Sequence, residues 1–208
     1  GLANLRISKK KFIYLISPNK VYPQFYKDLK EVLKTGKVSL FQLRLKKYSF
    51  KQKIIIGKKI NQICKKNGVK FLVNDDPILS KKLNADGCHL GQKDMSIMEA
   101  RKIVGNKIIG ITCHNSIKLA KTAIKEKASY IAFGAFFSTT TKKTKFNASI
   151  KILNKVKKLT KTPIVAIGGI NFNNYKKLLL NNANLLAISG YVWNNKKYKP
   201  LETIKKLK

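Results

Sequence analysis

The segment FLVNDDPILSKKLNADGCHLGQKD (71–94) carries two short apolar runs that favour β-strands, KFLVN (70–74) and GCHL (87–90). Between them lies a helical pattern near 77–84, which opens with a proline, the residue best tolerated at the first position of a helix. A strand, a helix and a further strand in so short a stretch form the repeating unit of a parallel sheet. This segment therefore predicts an α/β fold.

The same alternation continues on both sides of this segment. Further strand candidates lie at 12–16, 38–44, 108–112, 130–134, 163–168 and 185–189. Further helical patterns lie near 23–35, 50–67, 96–104, 116–127, 148–160, 172–182 and 200–207. Eight strands that are each followed by a helix predict one (β/α)8 barrel domain over residues 1–208, with its core at 12–193. A doubly wound sheet with fewer strands is the alternative.

The composition is strongly basic, with 45 lysines and arginines against nine acidic residues and a formal net charge of +36. Such a charge suggests nucleic acid, an anionic membrane or phosphorylated substrates as partners. However, only three of these cations are arginine, and the lysines are spread along every segment, whereas recognition of bases and phosphates favours arginine. We therefore expect small phosphorylated substrates and no specific nucleic acid, and interpret most lysines as solvated surface.

The chain shows no signal for secretion or membrane insertion. Its three cysteines form neither a C-x-x-C pair nor a zinc spacing, which is typical of reduced thiols. The apolar run near the N-terminus is too short for a signal peptide, and no stretch approaches the length of a membrane span. We expect a cytoplasmic protein with no membrane contact, and a homo-oligomer is compatible with the sequence.

Polar residues recur directly after the predicted strands, where a (β/α)8 barrel carries its active site. At the end of the second strand, Gln42, Arg44 and Lys46 occupy every second position, so they share one face of the strand. An arginine and a lysine on that face predict a grip on a diphosphate group. An exposed edge strand with salt bridges is the alternative.

Four of the nine acidic residues lie between positions 75 and 94. Asp75 and Asp94 follow the third and fourth strands, and two carboxylates at adjacent strand ends predict a Mg²⁺ site that water and substrate phosphate complete. Asp76 precedes a proline and is interpreted as a helix cap; capping is also the alternative for Asp75. Asp86 precedes the fourth strand, at the opposite end of the barrel, and is assigned to a turn.

The later strand ends contribute hydroxyl groups, a histidine and glycines. Thr112 ends the fifth strand, and His114 follows it as an acid–base group or as a polar residue at a helix start. The stretch GAFFSTTTKKTK (134–145) is either an anion-binding loop or a solvated one. Glycines follow strands seven and eight, where barrels frequently bind phosphate through backbone N–H groups.

Taken together, these motifs resemble those of the thiamine phosphate synthases. The matching stretches are FQLRLK (41–46), VNDDP (73–77), ADGCHLGQKD (85–94), IIGITCHNS (108–116), YIAFGAFFSTTTKK (130–143), VAIGGIN (165–171) and LLAISG (185–190). The resemblance runs from about Phe12 to Trp193, and the joint occurrence of these stretches in this order is specific. It implies a (β/α)8 fold and the Mg²⁺-dependent coupling of hydroxymethylpyrimidine diphosphate with a thiazole phosphate. The products would be thiamine monophosphate and diphosphate, formed through a carbocation-like transition state.

The resemblance also implies roles for individual residues. The implied substrate-binding residues are Gln42, Arg44, Lys46, Asn74, Thr112, Thr139, Thr141, Lys142, Gly169, Ile188 and Ser189. Among them, Arg44, Lys46, Thr112 and Lys142 would be catalytic, and Asp75 and Asp94 would bind Mg²⁺. Two departures stand out: Thr112 replaces a serine that is common in the family, and Ala135 and Ser138 stand where proline is common.

Two other functions are alternatives to the synthase. The related TenI-type thiazole tautomerases isomerise a thiazole phosphate by acid–base catalysis, for which His114 is a candidate. They have no need of paired carboxylates, so the presence of both Asp75 and Asp94 favours the synthase. A basic nucleic-acid-binding module would show binding that falls steeply with salt concentration.

Overall fold

The fold is a closed barrel of eight parallel strands, seen in a computed structural model that describes residues 5–138 and 147–208. The strands are β1 (Ile13–Ile16), β2 (Val38–Leu43), β3 (Lys70–Asn74), β4 (Gly87–Leu90), β5 (Ile108–Thr112), β6 (Tyr130–Phe133), β7 (Ile164–Ile167) and β8 (Leu185–Ile188). Each strand pairs in parallel with the next, and β8 returns to pair with β1. The (β/α)8 prediction is confirmed, and the doubly wound alternative is wrong.

Helices follow the strands around the outside of the barrel. Those within the described residues are α1 (Phe25–Leu33), α2 (Phe50–Lys66), α3 (Pro77–Lys82), α4 (Ile97–Val104), α5 (Ile117–Lys125), α6 (Ile150–Lys157), α7 (Tyr175–Leu180), α8 (Gly190–Trp193) and α9 (Pro200–Lys206). The short α8, between β8 and α9, has no counterpart in the sequence prediction. None of the helices described is both long enough and apolar enough to cross a membrane.

Side-chain caps fix the starts of several helices and remove one aspartate from the list of site candidates. The Ser96 and Ser116 hydroxyls accept hydrogen bonds from backbone N–H groups in the first turns of α4 and α5. In the same way, Asp76 Oδ1 accepts from Leu79 N over 2.9 Å at the start of α3. The interpretation of Asp76 as a helix cap is confirmed, because its carboxylate satisfies a backbone donor that the helix leaves unpaired.

Alternation along the strands divides the core into two layers. The outer faces pack against the helices, and the inner faces fill the barrel. The inner layer consists of Tyr14, Ile16, Leu40, Leu72, Ile108, Tyr130, Ala132, Val165, Leu185 and Ala187. Because side chains alternate, the inward positions nearest the carboxyl ends of β2 to β5 are Gln42, Asn74, His89 and Thr112. These polar residues form the floor of the barrel mouth.

Asp86 lies at the opposite end of the barrel from this mouth. Its Oδ2 accepts a hydrogen bond from Phe71 N over 2.8 Å, and its carbonyl oxygen accepts from Ile108 N over 2.9 Å. The residue therefore joins the starts of β3 and β5, as its assignment to a turn predicted.

Candidate active site

The barrel mouth brings together an arginine and two carboxylates that come from different strand ends. The strands that lead to these residues lie side by side, since β2 pairs with β3 and β3 pairs with β4. Burial and the neighbouring Asp94 carboxyl raise the pKa of Asp75 to about 6, while the Arg44 charge acts in the opposite direction. The end of β2 thus meets the loops after β3 and β4, as the sequence predicted.

Local backbone geometry holds the two carboxylates in place. Asp75 has a φ of 63°, a conformation that side-chain-bearing residues adopt rarely and that clusters at functional sites. Its N–H donates to His89 O over 2.7 Å, and Asn74 Nδ2 donates to its Oδ2 over 3.1 Å. Asp94 closes a tight turn in which its Oδ2 accepts from Gly91 N over 2.8 Å. Both side chains are therefore fixed by contacts within their own loops.

The donor set of this pair fits Mg²⁺. In the ranges 5–138 and 147–208, no group of three or more His, Cys, Asp or Glu side chains is arranged to hold a metal. Mg²⁺ sites commonly use one or two carboxylates and complete their octahedron with water and substrate phosphates. Two adjacent carboxylates also repel each other when both are ionised, and a divalent cation would remove that repulsion. The pair of Asp75 and Asp94 has the chemistry that such a site requires.

Ser17, which follows β1, holds the backbone of Arg44 from both sides. Its hydroxyl accepts from Arg44 N over 2.8 Å and donates to Arg44 O over 3.1 Å. Ser17 itself is buried. The sequence analysis did not single it out, because a lone serine after a strand carries no specific signal. Lys46 lies two residues further on with an exposed side chain, and its N–H donates to Asn19 O. The structure thus anchors the backbone of Arg44 and leaves the side chain of Lys46 at the rim.

A hydrogen-bonded chain of five side chains crosses the barrel below the mouth, and we call it the inner polar chain. Gln42 Nε2 donates to Tyr14 Oη over 2.8 Å, and Tyr14 Oη lies 2.6 Å from Tyr130 Oη. Tyr130 Oη lies 2.6 Å from His89 Nδ1, and His89 Nε2 lies 2.8 Å from Thr112 Oγ1. The chain thus links the residue predicted at the second strand end with the one at the fifth.

The inner members of this chain are neutral at physiological pH. Burial, followed by the Arg44 charge, lowers the pKa of His89 to about 4, against the opposing influence of Asp94. Burial raises the pKa values of Tyr14 and Tyr130 above that of a free tyrosine. Sequence reasoning missed these three residues because they stand inside apolar strand runs. The available signal was the alternation along the strands, which places them on the same inward face as Gln42 and Thr112.

Thr112 and His114 lie on either side of the end of β5. The Thr112 carbonyl accepts from Gln92 Nε2 over 2.7 Å, which fixes its backbone. His114 has a φ of 54° and accepts from Gly134 N at its carbonyl. Partial burial lowers the pKa of its side chain. Thr112 therefore belongs to the inner polar chain, whereas His114 lies in the turn that leads into α5.

The glycines after β7 have a packing role. Gly168 has a φ of 109°, and a Cβ placed on it would lie 2.4 Å from Ala135 Cβ. Phe137 N donates to Gly168 O over 3.1 Å. Gly169 has a φ of 63°, and a Cβ there would lie 2.7 Å from Phe137 O. The loop after β7 thus needs glycine because the loop after β6 lies directly against it.

The end of β8 connects to the arginine side of the mouth through Ser17. Ser189 Oγ donates to Ser17 O over 3.2 Å, while Ile188 is buried in the core. Since Ser17 also holds the Arg44 backbone, a continuous set of contacts joins the ends of β8, β1 and β2. Ser189 and Arg44, which were predicted to contact different substrates, therefore follow neighbouring parts of the rim. Thr139, Thr141 and Lys142 lie outside the described residues.

Comparison of the chain with known proteins points to one family. The family model for thiamine monophosphate synthase matches residues 13–192. A thiamine-phosphate synthase of Pelagibacter ubique is 67% identical over 200 residues, which cover 96% of this chain and 97% of that protein. One of Rhodospirillum centenum is 40% identical and covers 88% of this chain and 89% of the relative. Among solved structures, the thiamine phosphate pyrophosphorylase of Pyrococcus furiosus superposes with a TM-score of 0.84 at 28% identity, covering 96% of this chain and 95% of that one. The chain belongs to the thiamine monophosphate synthase family, a family of transferases.

Proposed function

We propose that this protein is a thiamine-phosphate synthase that joins hydroxymethylpyrimidine diphosphate to a thiazole phosphate, with release of diphosphate. The observation that carries the proposal is the position of Arg44, Asp75 and Asp94 after the neighbouring strands β2, β3 and β4. A cationic protein attracts anionic substrates without help, but the capture of a divalent cation needs carboxylates. Here two of the nine acidic residues of a chain of net charge +36 follow adjacent strands.

Asp75 and Asp94 would hold Mg²⁺, because their paired oxygens match its preferred ligands. When bound, the ion would neutralise charge on the diphosphate and so make it a better leaving group. Arg44 supplies a planar, permanently charged donor for the same group. Lys46 would add charge from the rim. Lys142 would add a further charge, and Thr139 and Thr141 would contact phosphate oxygens.

The chemistry of the coupling requires positioning more than acid–base catalysis. The bond between the methylene carbon and the diphosphate oxygen breaks, and the diphosphate leaves with the electron pair. The aminopyrimidine ring donates electron density to the methylene carbon, and the thiazole nitrogen supplies the pair for the new bond. Gln42, Asn74 and Thr112 would orient the pyrimidine. Backbone groups of Gly169, Ile188 and Ser189 would receive the phosphate of the thiazole, so that its nitrogen faces the carbon.

Three further features are consistent with this function. The substrates are small phosphorylated molecules, which suit a strongly cationic protein. The three cysteines are free and buried, as is common for a protein that works in the cytoplasm. His114, the candidate acid–base group of a tautomerase, lies in the turn before α5. A tautomerase would leave the pair of Asp75 and Asp94 unexplained.

The deciding experiment combines the purified protein with both substrates, with Mg²⁺ or with EDTA. We expect thiamine monophosphate and diphosphate in equal amounts with Mg²⁺ and none with EDTA, with activity restored by added Mg²⁺. Incubation with the thiazole phosphate alone tests the tautomerase, which would change the isomer without any pyrimidine substrate. Turnover that is unchanged by EDTA would exclude the metal site, and isomerisation without coupling would exclude the synthase.

A further inference from the structure

The direction of the inner polar chain follows from its Gln42 end. The amide nitrogen of Gln42 bears two hydrogens and accepts no hydrogen bond, so it donates to Tyr14 Oη over 2.8 Å. The Tyr14 oxygen accepts that bond, and its own hydrogen needs another acceptor because the side chain is only 1% exposed. The acceptor within reach is Tyr130 Oη, 2.6 Å away. Tyr14 therefore donates to Tyr130.

The same direction then passes along the rest of the chain. Tyr130 is fully buried and its oxygen accepts from Tyr14, so its hydrogen points to His89 Nδ1, 2.6 Å away. That nitrogen must then be unprotonated, which places the ring hydrogen on Nε2. Nε2 lies 2.8 Å from Thr112 Oγ1 and donates to it. All four hydrogen bonds thus run in one direction, from Gln42 to Thr112.

Packing prevents these side chains from turning away. The ring of Tyr130 lies where a side chain on Gly110 would be, since a Cβ there would come within 1.8 Å of the ring. The same ring stacks on His89 with an interplanar angle of 17° and meets Tyr14 edge to face. The rings and their hydroxyl groups are therefore held in one arrangement before any substrate binds.

We propose that the two tyrosines and His89 are positioning residues that present the Thr112 hydroxyl to the mouth as a hydrogen-bond donor. This inference rests on the proposed function. Because the Thr112 oxygen accepts from His89, its hydrogen is available to a bound molecule. In the proposed reaction, negative charge grows on oxygens of the departing diphosphate, and a donor oriented in advance stabilises such charge without reorganisation. The chain therefore contributes to turnover more than to substrate binding.

Nitrogen NMR of the histidine rings tests the direction of the chain without any need for turnover. The protein contains two histidines, and a His114→Gln variant assigns the signals of His89. In ¹⁵N-labelled protein, we expect His89 to show its hydrogen on Nε2 and an unprotonated Nδ1. The Tyr130→Phe variant removes the donor to Nδ1, so we expect its His89 signals to move toward a mixture of the two tautomers. A hydrogen on Nδ1 in the unmodified protein would overturn the proposal.

A double-mutant cycle tests whether Tyr130 acts through Thr112. Tyr130→Phe should lower kcat by about tenfold, with KM for the pyrimidine diphosphate changed by less than about twofold. Thr112→Val removes the hydroxyl at nearly constant shape and should lower kcat by at least as much. If the two act as one unit, adding Tyr130→Phe to Thr112→Val lowers kcat by no more than about a further twofold. Losses that multiply in full would contradict the proposal.

Tyr175→Phe is the matched control, because Tyr175 is also a buried tyrosine, but its hydroxyl contacts Lys208 at the C-terminus. It should leave kcat within about twofold of the unmodified protein. If Tyr130→Phe does not fold, Tyr14→Phe removes the donor to Tyr130, so Tyr130 can then either donate to His89 or accept from it. We expect the His89 signals to move in the same direction as in Tyr130→Phe, and kcat to fall, both by a smaller amount. A protein without any coupling activity would refute the proposed function, while the tautomer of His89 would still decide the direction of the chain.

Discussion

At the scale of single residues, the site is decided by how two carboxylates are held. Asp75 and Asp94 follow neighbouring strands, and the Asp94 carboxyl helps to raise the pKa of Asp75. Asp76, next to Asp75 in the sequence, caps the start of α3, and Asp86 joins strands at the far end of the barrel. The four acidic residues of one short segment thus lie in three different settings, which are set by the backbone around each.

Asp94→Asn should separate the metal role from a structural one. The amide can still accept the hydrogen bond from Gly91 N, but it brings no charge to a cation. We expect the coupling rate at fixed Mg²⁺ to fall by about 100-fold, with the melting temperature nearly unchanged. Rates measured over a series of Mg²⁺ concentrations, alongside thermal melts, check this.

Asp86→Asn is the matched control for that variant, since it makes the same chemical change at the opposite end of the barrel. Asp86 Oδ2 accepts from Phe71 N, so the substitution should lower the melting temperature slightly and leave the coupling rate within about twofold. Equal losses of rate in the two variants would show that the Asp94 carboxylate has no special place in the reaction.

At the scale of elements, the loops that follow the strands give the barrel mouth its shape. The loops after β6 and β7 lie against each other through Phe136 N to Ile167 O and Phe137 N to Gly168 O, both 3.1 Å. Ala135 touches the space that a side chain on Gly168 would occupy. The rim of the mouth on this side is therefore a pair of packed loops, and their shape depends on the glycines.

Gly168→Ala should disturb that rim and lower the stability of the protein. The new methyl group would meet Ala135, and the φ of 109° disfavours any side chain, so we expect the free energy of unfolding to fall by about 3 kcal/mol. Gly36→Ala is the control, because its φ is 73° and nothing lies within 4 Å of the added methyl group; it should cost about 1 kcal/mol. Urea titrations of both variants give the comparison, and equal costs would exclude steric contact between the loops as the cause.

At the scale of the whole molecule, closure of the barrel is the dominant feature. β1 pairs with β8 through Ile13 and Leu186, and Lys37 Nζ donates to Leu207 O over 2.7 Å, which ties the C-terminal end to the start of β2. A closed sheet has no free edge, so no strand can leave without exposing both layers of the core. The barrel should therefore open as one unit.

The three cysteines report on that opening, because Cys64, Cys88 and Cys113 are all fully buried. Burial raises the pKa of each thiol, to about 12 for Cys88 and Cys113. A raised thiol pKa favours the unreactive protonated form at pH 8. We expect a thiol reagent to modify all three slowly, at one common rate with one dependence on urea. Rapid modification of any one of them in the folded protein would contradict cooperative opening.

Much of the fold was predictable from local patterns. Strands such as 70–74, 87–90 and 108–112 have the predicted bounds, because short runs of mostly apolar residues between polar and turn-forming segments mark them in the chain itself. The short helix Gly190–Trp193 was not predicted, since four residues carry too little periodicity. The approach of Asp75 to Asp94 was predictable as well, because the carboxyl ends of adjacent parallel strands lie at one edge.

The sequence by itself determined the order of strands and helices and the collection of charged groups at the strand ends, because both depend on neighbouring residues. Only the tertiary structure decided the inner polar chain. Tyr14 and Tyr130 are 116 positions apart, and each stands in an apolar run where tyrosine is typical of a core. Closure of the barrel turns both hydroxyl groups inward, away from water. There they hydrogen-bond to each other, and the remaining partners are Gln42 for Tyr14 and His89 for Tyr130.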